Sequence, residues 1–320
     1  MDAQHPELKL PAAPAVVQET QTAHKDKLRA RRWKEGALGY LFLAPCLVLF
    51  TIFLFYPLVK SVYLSFHLTD PRGEVAAFVG LENYINLAAS GQMWNSLKVT
   101  LLFALYTVPA GIVLGLIMAG LTHAKLKGMK IFQFIFSVPL ALSVSTASVI
   151  WVMLFHPSMG MFNYFLSKIG AGPIQWLTDP SWALISISLM TVWMQSGFNY
   201  IVLLSGIQGV PEDIVESAKI DGAGPIRTFV QIVFPLLTPT VFFLSVVSII
   251  HAFQSFGQIH LMTKGGPAGS TEVFVYSIYK EAFINYQFGT GSALALTLFA
   301  IIMILTFIQF AVLEKKVHYQ

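Results

Sequence analysis

The chain of 320 residues is too apolar and too weakly charged for a water-soluble protein. Hydrophobic residues make up 55% of it, charged residues only 11%, and the mean hydropathy is +0.67, whereas soluble domains carry about 25% charged residues. The net charge is only +4, and the basic tail directly before the first apolar run is better explained as a membrane-topology anchor than as a nucleic-acid-binding arm. The composition therefore predicts an all-α integral membrane protein that does not bind nucleic acid.

Six apolar runs predict six transmembrane helices. Each run meets or approaches the roughly 20 residues that a helix needs to cross the hydrocarbon layer. Apolar residues within the runs are continuous and do not alternate, which favours spanning helices over a barrel. In chain order the runs are 37–66, 96–122, 131–155, 182–207, 239–256 and 292–313. An even number of spans places both termini on one side of the membrane.

Lysine and arginine predict which side that is. Fourteen of the 20 Lys and Arg residues lie in the two tails and in the second and fourth loops, whereas four lie in the opposite loops. By the positive-inside rule the first set is cytoplasmic. We therefore expect a basic cytoplasmic tail at 1–36, a membrane domain at 37–313 with a cytoplasmic loop at 210–238, and a cytoplasmic tail at 314–320.

The sequence lacks the residue patterns typical of nucleotide binding, ion coupling, catalysis and metal binding. The chain has no Gly-x-x-x-x-Gly-Lys-Ser/Thr phosphate loop, so an ATPase driving it would be a separate subunit. No carboxylate lies well inside an apolar run, which counts against an ion-coupled carrier. Cys46 is the single cysteine, and His156 and His251 are isolated. We expect no catalytic residue, no metal site and no cofactor in this chain.

The loop at 210–238 has the punctuation of two short helices. Pro211 stands where a helix begins, with Glu212 and Asp213 in its first turn, and Gly222 stands where it ends. Gly224-Pro225 starts a second helical stretch, which Pro235 and Pro239 are expected to end. The pattern predicts helix, glycine turn and helix on the membrane face.

This loop resembles the coupling loop of permease subunits of bacterial ABC importers. The resemblance rests on the spacing of Glu216-x-Ala218, Gly222, Ile232 and Phe234-Pro235; Ser217 and Phe234 depart from the family's usual Ala and Leu. It implies six helices in the type I importer permease (MetI-like) fold, and contacts to an ATPase from Glu216, Ser217, Ala218, Asp221, Gly222, Ala223, Ile232 and Pro235. Small residues at 218, 222 and 223 would allow close approach. The alternative is an ordinary amphipathic helix between two spans.

Further segments resemble the carbohydrate-uptake branch of the family. They are 78–84, 163–180 and 265–271, while 220–227 and 314–320 are similar to permeases for sn-glycerol-3-phosphate. The resemblance implies a bacterial inner-membrane complex with four kinds of partner. These are a homologous permease forming a heterodimer, an ATP-binding subunit dimer that holds ATP and Mg, a periplasmic or lipid-anchored solute-binding protein, and membrane lipid. A neutral sugar or oligosaccharide permease remains the alternative, and a secondary carrier is the alternative from another class.

Polar residues in two spans are candidates for the solute pathway. They are Gln195, Ser196 and Asn199 in the fourth run, and His251, Gln254 and Ser255 in the fifth. Helix breaks expected near Pro109, Pro139 and Gly197 would expose amides that attract anions. Hydrogen bonding between helices is the competing explanation for each polar residue.

Overall fold

The computed structural model describes residues 33, 38–123 and 128–313. The predicted tails at 1–36, apart from Trp33, and at 314–320 lie outside this range, as do Lys125 and Lys127 of the second loop. The chain divides into two compact units, Met1–Lys60 and Ser61–Gln320. Helix α1 (Leu38–Ser65) supplies most of the described part of the first unit and the first residues of the second. The features below belong to the second unit.

Among residues 61–123 and 128–313, helices predominate and the strands form one short hairpin. Strands β1 (His67–Thr69) and β2 (Val75–Phe78) pair antiparallel, with His67 opposite Phe78 and a register irregularity after Leu68. The helices that follow are α2 (Glu82–Ala89), α3 (Gly91–Thr122), α4 (Met129–Ser137), α5 (Val144–Leu154), α6 (Met161–Lys168), α7 (Pro180–Gln208), α8 (Glu212–Ile220), α9 (Pro225–Leu236), α10 (Thr238–Phe253), α11 (Gly257–Met262), α12 (Phe274–Tyr279) and α13 (Phe288–Leu313).

Four of the helices are long and apolar enough to cross a membrane by themselves: α1, α3, α7 and α13. Two further pairs meet the same criteria together but are bent, by 102° between α4 and α5 and by 66° between α9 and α10. Counting each bent pair as one span gives six, in the order that the apolar runs predict. The two faces of the membrane domain are called here the Gly91 face and the Thr122 face, after the two ends of α3.

Side-chain caps set the start of three of these helices. The Ser90 hydroxyl accepts from the Met93 amide at 3.3 Å, the Ser143 hydroxyl from Thr146 at 3.1 Å, and the Asp179 carboxylate from Ser181 at 2.8 Å. Each satisfies an amide that has no partner within the first helical turn. At Ser143 the cap restarts the helix in the middle of the third span.

The expected helix breaks occur at one of the three predicted places. Pro139 lies in a single 3-10 turn, Val138–Ala141, between α4 and α5. The predictions at Pro109 and Gly197 were wrong, because both residues lie inside continuous helices, α3 and α7. Gly197 serves another purpose: a β-carbon there would stand 2.9 Å from the Leu140 backbone nitrogen. The absent side chain lets the broken span pack directly against α7.

Glycines also allow α3 and α7 to pack closely. A β-carbon on Gly115 would stand 2.9 Å from Asn199 Cβ and 3.1 Å from its backbone carbon, and one on Gly111 would stand 3.0 Å from Asn199 Nδ2. Small residues at such contacts are the usual means by which membrane helices approach each other. The α3–α7 pair is the centre of the second unit.

Two apolar clusters lie along this pair. The larger one, on the Gly91 side, includes Phe103, Trp151, Phe155, Ile187 and Phe274, all buried. The smaller one, on the Thr122 side, contains Tyr200, Leu203, Leu237 and Leu244, also buried. The smaller cluster packs the start of α10 against the C-terminal half of α7. The sequence predicts that this half of α7 leads to the cytoplasmic loop.

Candidate functional site

The glycine turn predicted after α8 has the hydrogen bonds of a Schellman motif. Gly222 has φ +80°, its amide donates to the Lys219 carbonyl at 3.0 Å, and the Ala223 amide donates to the Ala218 carbonyl at 2.9 Å. These two bonds satisfy carbonyls at the end of the helix. Glycine is favoured at position 222 because the left-handed conformation costs other residues about 1–2 kcal/mol. The turn connects α8 to α9 in a defined geometry.

The eight residues expected to contact an ATPase lie in this one segment but differ in exposure. Glu216, Ser217, Asp221 and Gly222 are exposed, and Ala223 is partly buried. Ala218 is only 6% exposed. Its small side chain therefore packs within its own chain, which is a correction to the expectation that it allows a partner to approach. Ile232 and Pro235 are partly buried along α9.

The most exposed apolar residues of this segment were missed by the sequence analysis. Ile220 is 86% exposed, Ile226 is 80% exposed and Val230 is 57% exposed. Ile226 and Val230 line an open groove together with Gly224, Pro225, Arg227 and Gln231. Isolated isoleucines in a polar loop were the available signal. The segment thus presents Glu216 and Asp221 beside an apolar surface, a combination that suits a protein partner.

The segment continues into the membrane domain through α9 and α10. The second helix ends at Leu236, between Pro235 and Pro239 as predicted, and the 66° bend follows there. Pro239 lies in the first turn of α10, where its missing amide hydrogen costs no hydrogen bond. Leu237 at the bend is 1% exposed, so the connection is anchored in the smaller apolar cluster.

The polar residues of α7 lie mainly inside the chain. Ser196 is fully buried and donates to the Trp193 carbonyl at 2.7 Å. Asn199 is 1% exposed, and neither its Oδ1 nor its Nδ2 has a hydrogen-bond partner among the described residues. Gln195 is partly buried, and its Oε1 likewise has none there. Leaving a buried polar group unpaired costs about 1–3 kcal/mol.

The polar residues at the end of α10 are more accessible. His251 and Gln254 are exposed, whereas Ser255 is 8% exposed and donates to the His251 carbonyl at 2.9 Å. Within residues 38–123 and 128–313, no hydrogen bond joins this set to the α7 set. The accessible pair, His251 and Gln254, is therefore the part of the predicted pathway whose side chains are open to a ligand.

A buried charge on the Gly91 face was not found from the sequence. Glu272 is 7% exposed, and its carboxylate accepts from Gln92 Nε2 at 2.7 Å, from the Ser277 hydroxyl at 2.9 Å and from Lys280 Nζ at 3.0 Å. Ser277 also shares a hydrogen bond of 2.6 Å with Ser96. Buried charges persist where they are paired and hydrogen-bonded. Glu272 precedes α12 and Lys280 directly follows it, so the pair lacks the i,i+3 or i,i+4 spacing that would have indicated it from the sequence.

The same contact ties the segment 265–280 to α3 over two turns. Asn95 Nδ2 donates to the Gly269 carbonyl at 3.1 Å, and the Phe274 amide donates to the Thr100 hydroxyl at 2.8 Å. Burial, with smaller contributions from the charges of Tyr279 and Glu272, raises the pKa of the Tyr276 phenol in this segment above its ordinary value.

Comparison with known families identifies this arrangement. The family model described as the binding-protein-dependent transport system inner membrane component matches residues 111–319, which include the turn at Gly222 and the polar residues of α7 and α10. The chain belongs to this family. The family assignment confirms the resemblance and the fold class that the sequence predicts, and it makes the chain a membrane permease component.

Curated relatives of the family match over most of their length. The permease protein UgpA of the sn-glycerol-3-phosphate transport system of Rhizobium meliloti (strain 1021) is 37% identical over 285 residues, covering 88% of this chain and 96% of the relative. UgpA of Yersinia enterocolitica is 34% identical over 286 residues, with the same coverage.

Chains of solved ABC transporter structures share the fold. A chain of a bacterial ABC transporter involved in the import of the acidic polysaccharide alginate superimposes with a TM-score of 0.77 at 25% identity, covering 89% of this permease chain and 99% of that chain. The methionine transporter MetNI in an inward-facing conformation gives a TM-score of 0.52 at 14% identity over 74% of this chain. The second likeness concerns the fold alone.

Proposed function

We propose that this chain is the permease subunit of an ATP-driven importer for sn-glycerol-3-phosphate or its diesters, and that it forms half of the translocation pathway. The observation that carries the proposal is the identity of 37% with a sn-glycerol-3-phosphate permease over nearly the whole of both chains. Insertions or losses of a solute-specific domain would have lowered that coverage. The chain would sit in a bacterial inner membrane with both termini cytoplasmic.

Four partners complete this proposal, membrane lipid among them. Half of a pathway needs a second, homologous permease, and a heterodimer is the arrangement that the family resemblance implies. An ATP-binding subunit dimer would hold ATP and Mg, because the chain has no phosphate-binding loop of its own. A periplasmic or lipid-anchored solute-binding protein would deliver the solute. Support for this partner comes from a structurally similar chain, which belongs to a bacterial alginate ABC transporter in complex with a periplasmic protein.

The segment formed by α8, the turn at Gly222 and α9, called here the coupling segment, would pass the motion of the ATPase to the spans. Glu216 and Asp221 would make polar contacts to the ATPase, while Ile220 and Ile226 would be buried by it. The Schellman turn at Gly222 links α8 firmly to α9, and α9 is bent onto α10 at a buried leucine. A displacement of α8 would therefore reach α10, whose far end carries His251 and Gln254. Switching between two packings of such elements is the usual basis of alternating access.

The solute would be bound by hydrogen-bonding side chains rather than by a buried Lys or Arg. Our candidates are Gln195, Ser196 and Asn199 on α7, and His251, Gln254 and Ser255 at the end of α10. Of these, His251 and Gln254 are exposed in the isolated chain. The two α7 amides with unpaired atoms would gain partners if the α3–α7 contact opened during transport.

Reconstitution tests the proposal directly. The chain is purified with its co-expressed permease, ATPase and solute-binding protein, placed in liposomes, and assayed for ATP hydrolysis with a panel of solutes. Stimulation by sn-glycerol-3-phosphate or its diesters, and not by sugars, is the expected result. Stimulation by a sugar alone would contradict the phosphate assignment, and an absence of ATP hydrolysis with every solute, with all partners present and folded, would contradict an ATP-driven importer.

A second candidate is a sugar or oligosaccharide permease of the same branch. It is favoured by the 25% identity and TM-score of 0.77 with the transporter of an acidic polysaccharide. Hydroxyl and amide side chains can bind a sugar as readily as a phosphate ester. The same solute panel, with neutral and acidic oligosaccharides included, distinguishes the two.

A further inference from the structure

An exposed apolar stripe lies on α6, in the segment 155–179 that joins α5 to α7 on the Gly91 face. Its members are spaced i, i+3, i+4, i+7 and i+8, so they share one side of the helix. Met161 is 54% exposed, Tyr164 and Phe165 are 58% exposed, and Ile169 is 78% exposed. Lys168 is exposed at the remaining position of the stripe.

The opposite side of α6 is held firmly, so the exposure of the stripe is not that of a loose loop. Asn163 is 7% exposed, and its Nδ2 donates to the Pro157 and Ile174 carbonyls at 2.9 and 3.0 Å. Its Oδ1 accepts from the Ile174 amide at 3.1 Å and from Trp176 Nε1 at 2.9 Å. Phe162 stacks on Phe155 with 5.0 Å between ring centroids. These contacts fix which side of α6 faces outward.

The charge of the segment favours one kind of partner. The segment 155–179 contains one acidic residue, Asp179 at its last position, whose carboxylate caps α7, and Lys168 is its only Lys or Arg. The Lys168 ammonium lies 5.1 Å from the centroid of the Tyr164 ring. An apolar stripe with a cation and a tyrosine at its edge matches a phospholipid interface, where apolar side chains enter the acyl region and Lys and Tyr remain among the phosphates. Protein interfaces instead have a polar rim.

Position and shape agree with this partner. The segment connects two helices of the membrane domain. Helix α5 ends at Leu154 just before it, and α7 begins at Pro180 just after it. A groove of about 600 Å³ runs beside the stripe, lined in part by Met159, Met161, Tyr164, Ala171 and Pro173. Its lining is mostly apolar, although Ser158, Asn163 and Ser167 also contribute to it, and the apolar part suits part of an acyl chain.

We propose that the α6 stripe, with Met159, binds the phospholipid interface of the leaflet on the Gly91 face. Phe165 and Ile169 contact acyl chains, and Lys168 contacts a phosphate. This contact connects the Gly91-face end of the broken third span to the leaflet. The proposal concerns the membrane and does not depend on which solute the permease carries.

Depth-dependent quenching in the full-length chain tests this proposal. Cys46, the single cysteine, is replaced by serine, and a fluorophore is attached to F165C or, as a matched control, to Q175C. Gln175 is exposed in the same segment but lies outside α6. Each labelled chain is placed in nanodiscs whose phosphatidylcholine is brominated on the upper acyl carbons, and iodide is added from the water.

The brominated lipid is expected to quench the label at 165 several-fold more strongly than the label at 175, with the opposite order for iodide. Iodide quenching at 165 equal to that at 175 would overturn the proposal. So would protection at 165 from both quenchers, since a second copy of the chain would then cover the stripe. The label at I169C, on the next turn, gives a second reading should F165C fail to fold.

Discussion

The Lys280 ammonium lies 3.0 Å from the Glu272 carboxylate, and the pair joins α12 and the turn after it to the first turn of α3 through Gln92. The carboxylate is almost fully buried, while the Lys280 side chain is 36% exposed. A pair of this kind contributes little by attraction alone, but removing one member leaves the other without its partner. It therefore acts as a specific connection between two parts of the Gly91 face.

E272Q is expected to lower the free energy of unfolding of the purified permease by about 1–3 kcal/mol. Lys280 would lose its counter-charge, and Gln92 would face an amide in place of a carboxylate. E281Q is the matched control, since the Glu281 carboxylate accepts from Asn285 Nδ2 in a solvent-exposed hydrogen bond of 3.0 Å. Thermal unfolding in one detergent measures both variants. Equal unfolding midpoints for E272Q and E281Q would show that the Glu272–Lys280 pair does not stabilise the fold.

The conformation of Gly222 predicts which substitutions the coupling segment accepts. G222V is expected to insert into the membrane but to lose most solute-stimulated ATP hydrolysis, because a β-branched residue at φ +80° distorts the turn between α8 and α9. G222N should retain more activity, since asparagine tolerates the left-handed region. Similar activity in the two variants would mean that backbone conformation does not control coupling.

Substitution of Ile226 tests whether the exposed apolar surface of the same segment binds the ATPase. I226E should weaken co-purification of the ATPase without changing the stability of the membrane domain, because this side chain is 80% exposed and contacts little of its own chain. The matched control is I85E, on α2 at the Gly91 face, where the side chain is 65% exposed. If both variants retain the ATPase equally, the coupling surface must lie elsewhere.

The close packing of α3 on α7 predicts a contrast between two glycines of one helix. G115A should destabilise the chain by about 1–3 kcal/mol, because the new methyl group would overlap Asn199. G120A should be neutral or stabilising by up to about 1 kcal/mol, since its methyl group would meet only Phe229 at 3.9 Å and alanine favours the helix. Unfolding midpoints that fall in the reverse order would contradict the packing.

Much of the local structure was predictable because its causes are local. The six apolar runs, the start of α8 after Pro211 and the turn at Gly222 each depend on residues within a few positions of one another. The expectations for Pro109 and Gly197 were wrong for the opposite reason. Whether a proline or glycine breaks a membrane helix depends on the helices packed around it, and α3 and α7 support each other over these positions.

The sequence by itself determined the membrane class, the order of the spans and the glycine turn at position 222, because hydrophobicity, proline and glycine act on the nearby chain. Only the tertiary structure decided that Ala218 and Asn199 are buried, that Ile220 and Ile226 are exposed, and that Glu272 is paired with Lys280 against α3. These properties depend on residues far apart in the chain. Burial and pairing depend on which helices pack together, and a local sequence pattern does not specify that packing.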